Sequence, residues 1–382
     1  MKTLQLVPAM EQGGVERGVV EMNRVIVGAG WENVVVSAGG RLAAQIEADR
    51  GRHVTLDVKS KNPLTYFSRA AKLRAVLAAE RPDVVCAHSR VPAWLFLRAN
   101  RTLNLPWITF AHGANSVSPY SRIMTAGDLT VTPSRYVADY LKRAYGIDES
   151  KLRVIPRAVE RERFDIAKLD AAFVAEKRRE WRLDGAYVIM GLGRITQLKG
   201  YDVLIRALAR LRDSVPPPGG RRWRAVIVGE AEELRRDVEK DLRSLVRDLG
   251  LVDDVVFAGN QRLVAECLSL ADVVVSSNVR KPEAFGRSMA EALAMGKPVV
   301  AKAFGGALDV VRNGVDGILV EDDGRPSECA FADALAKIPG MAFGDLRADA
   351  LERFSFERMA SDSLATYSEV VSNRNKKENG RL

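Results

Sequence analysis

The sequence predicts an α/β protein built from two doubly wound parallel sheets in succession. Three observations carry that prediction. Short apolar runs of strand length alternate with helical patterns through the first half of the chain, and the same rhythm restarts in the second half. At 382 residues, 47% of them hydrophobic, the chain is long enough to bury two full cores.

In the first half the expected strands are 3–8, 33–37, 54–58, 84–87, 107–111, 129–132 and 153–155. Helical patterns lie between them, as at 15–29 and 68–80. In the second half the expected strands are 188–192, 225–228, 255–258, 272–276, 298–301 and 318–320. Apolar strands separated by helices require a parallel sheet covered on both faces. Ligands of such sheets bind beyond the carboxyl ends of the strands, and two such domains are expected to face a central cleft. The charged helical segment around Glu176-Lys177-Arg178-Arg179-Glu180 marks the division. The expected domains are 1–170, 171–355, and a last segment, 356–382, whose helix over 356–371 packs back on the N-terminal domain before a frayed polar tail.

Composition narrows the function. No apolar run approaches the roughly 20 residues of a membrane span. The first residues read as a strand rather than a signal peptide. Three scattered cysteines, Cys86, Cys267 and Cys329, suit a reducing cytoplasm, and with only His53, His88 and His112 a His/Cys metal centre is not expected. The net charge of +9 is uneven: residues 1–165 hold 24 Lys and Arg against 16 Asp and Glu, and residues 166–382 hold 34 against 33. That asymmetry points to an anionic partner for the first half, either nucleic acid or a membrane surface. No aromatic-studded basic motif or helix-turn-helix pattern supports nucleic acid. Lys59, Lys61, Arg69, Lys72 and Arg74 surround Pro63-Leu64-Thr65-Tyr66-Phe67, and Arg69, Leu73 and Leu77 follow helical spacing. One amphipathic surface for an anionic membrane is the expectation, with an ordinary solvated helix face over the core as the plain alternative.

Several motifs fall at strand ends. Gly13-Gly14 follows the first strand and opens a helix, so backbone can approach an anionic ligand there; a tight turn explains the pair equally. No GxGxxG fingerprint is present, which disfavours a nicotinamide cofactor. Ala111-His112-Gly113 follows the strand at 107–111, where His112 is either functional or structural. Gly193-Arg194-Ile195-Thr196-Gln197-Leu198-Lys199-Gly200 follows the first strand of the second half. Its guanidinium fork and its ammonium suit a diphosphate, with ordinary surface charge as the plain alternative. Glu283-Ala284-Phe285-Gly286-Arg287-Ser288-Met289-Ala290-Glu291 then places one carboxylate before a helix and a second about two turns into it. The helix start carries unpaired amides and a positive dipole end, so the pair can grip two parts of one polar ligand; a solvated helix with two ordinary glutamates is the plain alternative.

Taken in order, these motifs resemble glycosyltransferase family 4, the retaining nucleotide-sugar enzymes of the two-domain GT-B type. Phe257-Ala258-Gly259 and Gly296-Lys297-Pro298-Val299-Val300 complete the resemblance, which spans nearly the whole chain. It implies that Arg194 and Lys199 bind the donor diphosphate. It implies that Glu283, with Phe285, Gly286, Arg287 and Ser288, meets the donor sugar, that Glu291 holds the ribose, that His112 lies by the sugar, and that Gly13 and Gly14 lie by the phosphates. Retention is implied to proceed by attack on the leaving-group face. No Asp-x-Asp triplet occurs, so no metal and no resident cofactor is expected beyond the nucleotide sugar itself, with UDP and GDP undistinguished.

Three positions depart from the pattern. Ala284 stands where a glycine is usual, Pro156-Arg157-Ala158-Val159-Glu160 replaces Pro-Asn-Gly-Val-Asp, and Ala303 precedes Phe304-Gly305-Gly306 where a polar residue is common. The narrower resemblance, through Tyr120 to Asp128 and Ile155-Pro156-Arg157, is to bacterial lipopolysaccharide core enzymes. The expected function is hexose transfer from a nucleotide diphosphate sugar to a membrane-embedded glycolipid or saccharide, in the cytoplasm or on the inner face of the cytoplasmic membrane. The alternatives are a nucleotide-sugar epimerase or hydrolase on the same fold and, from the basic first half, a nucleic-acid binder.

Overall fold

Alternate residues of a strand face opposite sides of its sheet, so a strand buried on both faces is apolar throughout. Among the described residues, 1–11, 13–232 and 236–379, the computed structural model has thirteen strands, of which β4, Val84–Ala87, follows that pattern most closely. They are β1 (Lys2–Leu6), β2 (Glu32–Ser37), β3 (Arg52–Thr55), β4 (Val84–Ala87), β5 (Trp107–Phe110), β6 (Leu129–Thr132), β7 (Leu152–Val154), β8 (Ala186–Leu192), β9 (Arg222–Val228), β10 (Val255–Gly259), β11 (Val273–Ser276), β12 (Val299–Lys302) and β13 (Gly317–Val320). Every expected strand is present, with ends shifted by a few residues.

The chain divides into two units. The first is Met1–Arg157 with the C-terminal helix from Glu357; the second is Ala158–Phe356. The first unit holds a seven-stranded sheet ordered β3-β2-β1-β4-β5-β6-β7, and the second a six-stranded sheet ordered β10-β9-β8-β11-β12-β13. All pairings between neighbouring strands are parallel, for example Leu4 with Val34 and Val274 with Val299. Both sheets reverse their winding beside the first strand, at β1/β4 and at β8/β11, which defines a switch point beyond the carboxyl ends in each.

Each sheet is packed on both faces. In the first unit Leu4, Leu6, Val34 and Val36 meet Leu73, Leu77 and Phe96 on one side, while Val7, Val35, Val19 and Ile46 pack on the other. In the second unit Val188, Met190, Val226 and Val274 meet Met289, Ala290 and Leu293, while Ile189, Ala225, Ile227 and Val275 meet Leu204, Leu208 and Leu211.

Three expectations are corrected. The division falls after Arg157 rather than after 170, because Val159, Phe164 and Trp181 are core residues of the second unit and Asp170 N–H donates to Glu266 Oε1 at 3.3 Å. The last helix, Phe356–Asn379, runs well past the frayed tail expected from Ser372. Within the first unit it buries Tyr367, edge-on to Phe110 with centroids 6.4 Å apart, and pairs Glu369 with Arg153 at 2.5 Å. Arg69 and Leu73 do not share an outer surface, since both are buried. Among the described residues no helix is long and apolar enough to cross a membrane.

Candidate active site

The second unit gathers its site at the β8/β11 switch point. After β8 the chain turns at Gly193 (φ +136°) and runs through Arg194 to a short 3-10 turn, Gln197–Lys199. Gly200 (φ +65°) then opens the helix Tyr201–Ser214. A side chain at Gly200 would collide with the Ser277 carbonyl just beyond β11, so glycine there permits the two strand-end segments to touch. They are stitched together by Ser277 Oγ, which donates to Lys199 O at 3.1 Å, and by Arg280. Its guanidinium donates to Gln197 O at 2.9 Å and grips Asp202 at 2.6 Å.

Lys199 Nζ forms an ion pair with Glu283 Oε1, whose other partner is Asn278 Nδ2 at 3.0 Å. The Lys199 and Glu283 side chains keep 27% and 25% exposure, so the pair is accessible from the strand ends. Arg194, by contrast, is 74% exposed and reaches Glu232. Tyr201 underlies the loop and donates its hydroxyl to Gly193 O at 2.8 Å. Burial, then the Glu283 carboxylate, push this phenol above its usual range, so it stays a donor.

Beyond Glu283 the chain enters the helix Arg287–Ala294 through Gly286, whose φ of +94° offers no side-chain cap. The Phe285 side chain is buried edge-on to Phe354 with centroids 5.6 Å apart, so it anchors the turn from the core and only its backbone faces the strand ends. Ser288 is half-buried in the first turn. Glu291 is buried and accepts from Arg287 Nε at 3.2 Å, with Glu160 4.0 Å from the same guanidinium. Gly306 N–H donates to Glu283 O at 2.8 Å, and a side chain there would press on the Phe285 backbone. The departure at Ala303 leaves this close approach intact. Lys297 stands at the opposite end of the sheet, before β12, where it donates to Ser269 O at 3.0 Å and burial lowers its pKa; its role in the motif is structural.

The first unit brings a different cluster to its own switch point. His88 follows β4 and His112 follows β5, with parallel rings 5.2 Å apart. Arg157 Nη2 lies 2.6 Å from His112 Nδ1, His112 Nε2 lies 3.0 Å from His88 Nδ1, and His88 Nε2 lies 2.6 Å from Gln5 Oε1. A guanidinium only donates, so this order of contacts assigns every proton. His112 accepts at Nδ1 and donates from Nε2; His88 accepts at Nδ1 and donates from Nε2 to Gln5. Burial, then the charge of Arg157, lower the pKa of both histidines, that of His88 to about 3. Both rings are neutral at physiological pH. Gly18, in the helix Gly14–Gly28, has no side chain where one would collide with Arg157. Gly13 caps that helix in an extended conformation and Gly14 faces open space.

Sequence reasoning assigned Lys199, Glu283, Gly286, Arg287, Glu291 and His112 to one cleft; the first five lie at the strand ends of the second unit and His112 lies at those of the first. It missed Ser277 and Asn278, although they directly follow β11, and His88, whose position after β4 matches that of His112 after β5. Arg157 was noticed only as part of its local motif; its contact with His112 is a tertiary fact.

Two doubly wound parallel-sheet units in one chain are the architecture of the GT-B glycosyltransferases. Residues 12–163 match the family described as Glycosyltransferase Family 4, and residues 173–339 match Glycosyl transferases group 1. The D-inositol 3-phosphate glycosyltransferase of Stackebrandtia nassauensis is 33% identical over 329 residues, covering 78% of this chain and 71% of that protein. Among solved structures, a glycosyltransferase from Rickettsia africae superposes with a TM-score of 0.86 at 28% identity, covering 97% of this chain and 99% of the other. Anabaena HepE in complex with UDP gives 0.80 at 22% identity over 97% and 100%, a likeness of fold. The chain belongs to the family 4 glycosyltransferases.

Proposed function

We propose that this glycosyltransferase moves a hexose-type sugar, with retention and without a metal, from a nucleotide diphosphate sugar to a glycolipid or saccharide acceptor of the cell envelope. The observation that carries the reading is the Lys199–Glu283–Asn278 cluster beside the uncapped start of the helix Arg287–Ala294, with Arg194 exposed on the same loop. Breaking a sugar–phosphate bond leaves an anionic diphosphate. Lys199, Arg194 and the helix start supply positive charge where that anion develops. Glu283 then contacts the sugar, the backbone of Phe285, Gly286, Arg287 and Ser288 supports it, and Glu291 holds the ribose. Asn278 Oδ1, buried and unpartnered among the described residues, offers an acceptor to a ligand hydroxyl. His112 acts as a neutral dipole beside the sugar, fixed by Arg157, and Gly13 and Gly14 give the phosphates close backbone approach. Attack occurs on the leaving-group face, with a phosphate oxygen taking the acceptor proton. UDP and GDP donors both fit the charge of the site, and the reading has the enzyme work in the cytoplasm or at the inner membrane face.

Lipopolysaccharide core assembly is the narrower acceptor reading, supported by the sequence resemblance. A second reading, a phosphorylated polyol acceptor, is supported by the name of the 33% identical relative. Release of nucleoside diphosphate from each nucleotide sugar, measured with core-type glycolipid, saccharide and inositol phosphate acceptors, separates them. Acceptor-dependent release with the first two favours the envelope reading, and release with inositol phosphate alone replaces it. No release with any acceptor in the presence of a donor that binds rejects both.

A further inference from the structure

Leu64 and Phe67 are the most exposed large hydrophobic side chains among the described residues, at 91% and 65%. They project from the 3-10 turn Pro63–Thr65 and from the first turn of the helix Tyr66–Glu80. This display is held rigidly. Asn62 Oδ1 accepts from Leu64 N–H at 3.0 Å, and Tyr66 donates its hydroxyl to Trp94 O at 3.0 Å. Buried Arg69 donates from Nε to Thr65 Oγ1 at 3.0 Å and from Nη2 to Asn62 O at 3.1 Å. Arg69 is therefore a strut under the turn and not part of its outer face.

Beside Phe67 lies a groove of about 270 Å³ lined by Arg74, Arg98 and Arg101. The Arg98 guanidinium sits 5.3 Å from the Phe67 ring centroid. Among the described residues none of Lys59, Lys61, Lys72, Arg74, Arg98 or Arg101 has a carboxylate within ion-pair distance. An unneutralised basic groove beside a rigidly held leucine and phenylalanine has the chemistry of an interfacial docking site.

We propose that this face of the first unit docks on an anionic phospholipid bilayer. A lipid phosphate occupies the arginine groove, and Leu64 and Phe67 enter the headgroup boundary. Charge complementarity selects an anionic partner, and a fully exposed leucine three residues before the groove-lining Phe67 selects a bilayer over nucleic acid or free phosphate. The proposal rests on the glycolipid reading for its purpose, since docking brings the enzyme to its acceptor, but not for its test.

The test is co-sedimentation of the full chain with phosphatidylcholine vesicles, with and without phosphatidylglycerol, at low and raised ionic strength. Binding is expected only with phosphatidylglycerol and is weakened by salt. Leu64→Ser with Phe67→Ser should lower the partition coefficient about tenfold or more. Arg74→Gln, Arg98→Gln and Arg101→Gln should each lower it about fivefold. All these variants should keep the wild-type Tm and wild-type nucleoside diphosphate binding, because none touches the donor cluster. No binding at low ionic strength, equal binding to neutral vesicles, or binding indifferent to both sets of variants overturns the proposal. So does competition by inorganic phosphate or an oligonucleotide that binds in place of vesicles. Vesicle binding by a chain that binds no nucleoside diphosphate would reject the donor reading and leave the docking intact.

Discussion

Replacing Lys199 with methionine removes the ammonium but keeps the length of the side chain. Two effects follow from the geometry. Without ligand, Glu283 loses its cationic partner and keeps only Asn278 at 3.0 Å. With both partners about a quarter exposed, the cost lies between that of a surface pair and a buried one, about 1–2 kcal/mol, or a Tm lower by a few degrees. With ligand, the diphosphate loses a charge-assisted hydrogen bond of about 1.5–3 kcal/mol, which is about 10- to 150-fold in Kd. Arg194→Ala is the internal control. Its pair with Glu232 is largely exposed, so its loss should leave the unliganded stability within about 0.5 kcal/mol of wild type while still weakening diphosphate binding. Titration calorimetry with the preferred nucleoside diphosphate, alongside thermal unfolding without ligand, separates the two effects. An unchanged Kd for Lys199→Met would refute the diphosphate assignment even if the Tm falls.

Other outcomes follow from the same geometry. Glu283→Ala and His112→Ala should lower turnover while nucleoside diphosphate binding survives, whereas Glu291→Ala should weaken that binding itself; loss of stability alone in all three would make the cluster structural. His88 has a folded pKa of about 3 against about 6.5 unfolded, so protons bind the unfolded chain first. Its contribution to stability is therefore intact above pH 6.5 and lost progressively as pH falls towards 3, by up to about 1.4 kcal/mol per pH unit. His88→Gln should flatten the Tm profile between pH 6.5 and 5, and an unchanged slope counts against the buried neutral ring. Gly286→Ala forces a φ of +94° on a residue whose side chain meets Met289, so turnover and stability should both fall, the latter by roughly 1–3 kcal/mol of strain, read as a lower Tm. Activity should persist in EDTA; loss restored by Mg²⁺ or Mn²⁺ would contradict a cation-only leaving-group site.

The strands were legible because parallel strands buried on both faces are written as continuous apolar runs, such as Val34-Val35-Val36 and Val273-Val274-Val275. Strand-end motifs then located Lys199, Glu283 and His112, since doubly wound sheets bind ligands there. What depends on tertiary contact was not legible. Arg69 has the same local spacing as Lys72 yet folds under its own turn, because Asn62 and Thr65 offer it acceptors. Phe285 reads as a site residue from its motif but finds Phe354, far away in sequence, and turns inward. The domain division depends on which core takes Val159 and Phe164, and nothing in the local pattern at 157 decides that. The last helix outran its expected end because Ser372 to Asn379 is polar without any glycine or proline to stop it.

The most direct test of the donor site is a thermal-shift panel of nucleoside mono-, di- and triphosphates, repeated on the Lys199→Met and Glu291→Ala variants. A ligand present at about a hundred times its Kd stabilises the folded chain by about 2.7 kcal/mol. UDP or GDP should raise the Tm of the wild-type protein by several degrees, more than the matching monophosphate, and both variants should lose most of that rise. No rise with any nucleoside diphosphate, or a rise equal in wild type and both variants, would contradict the account.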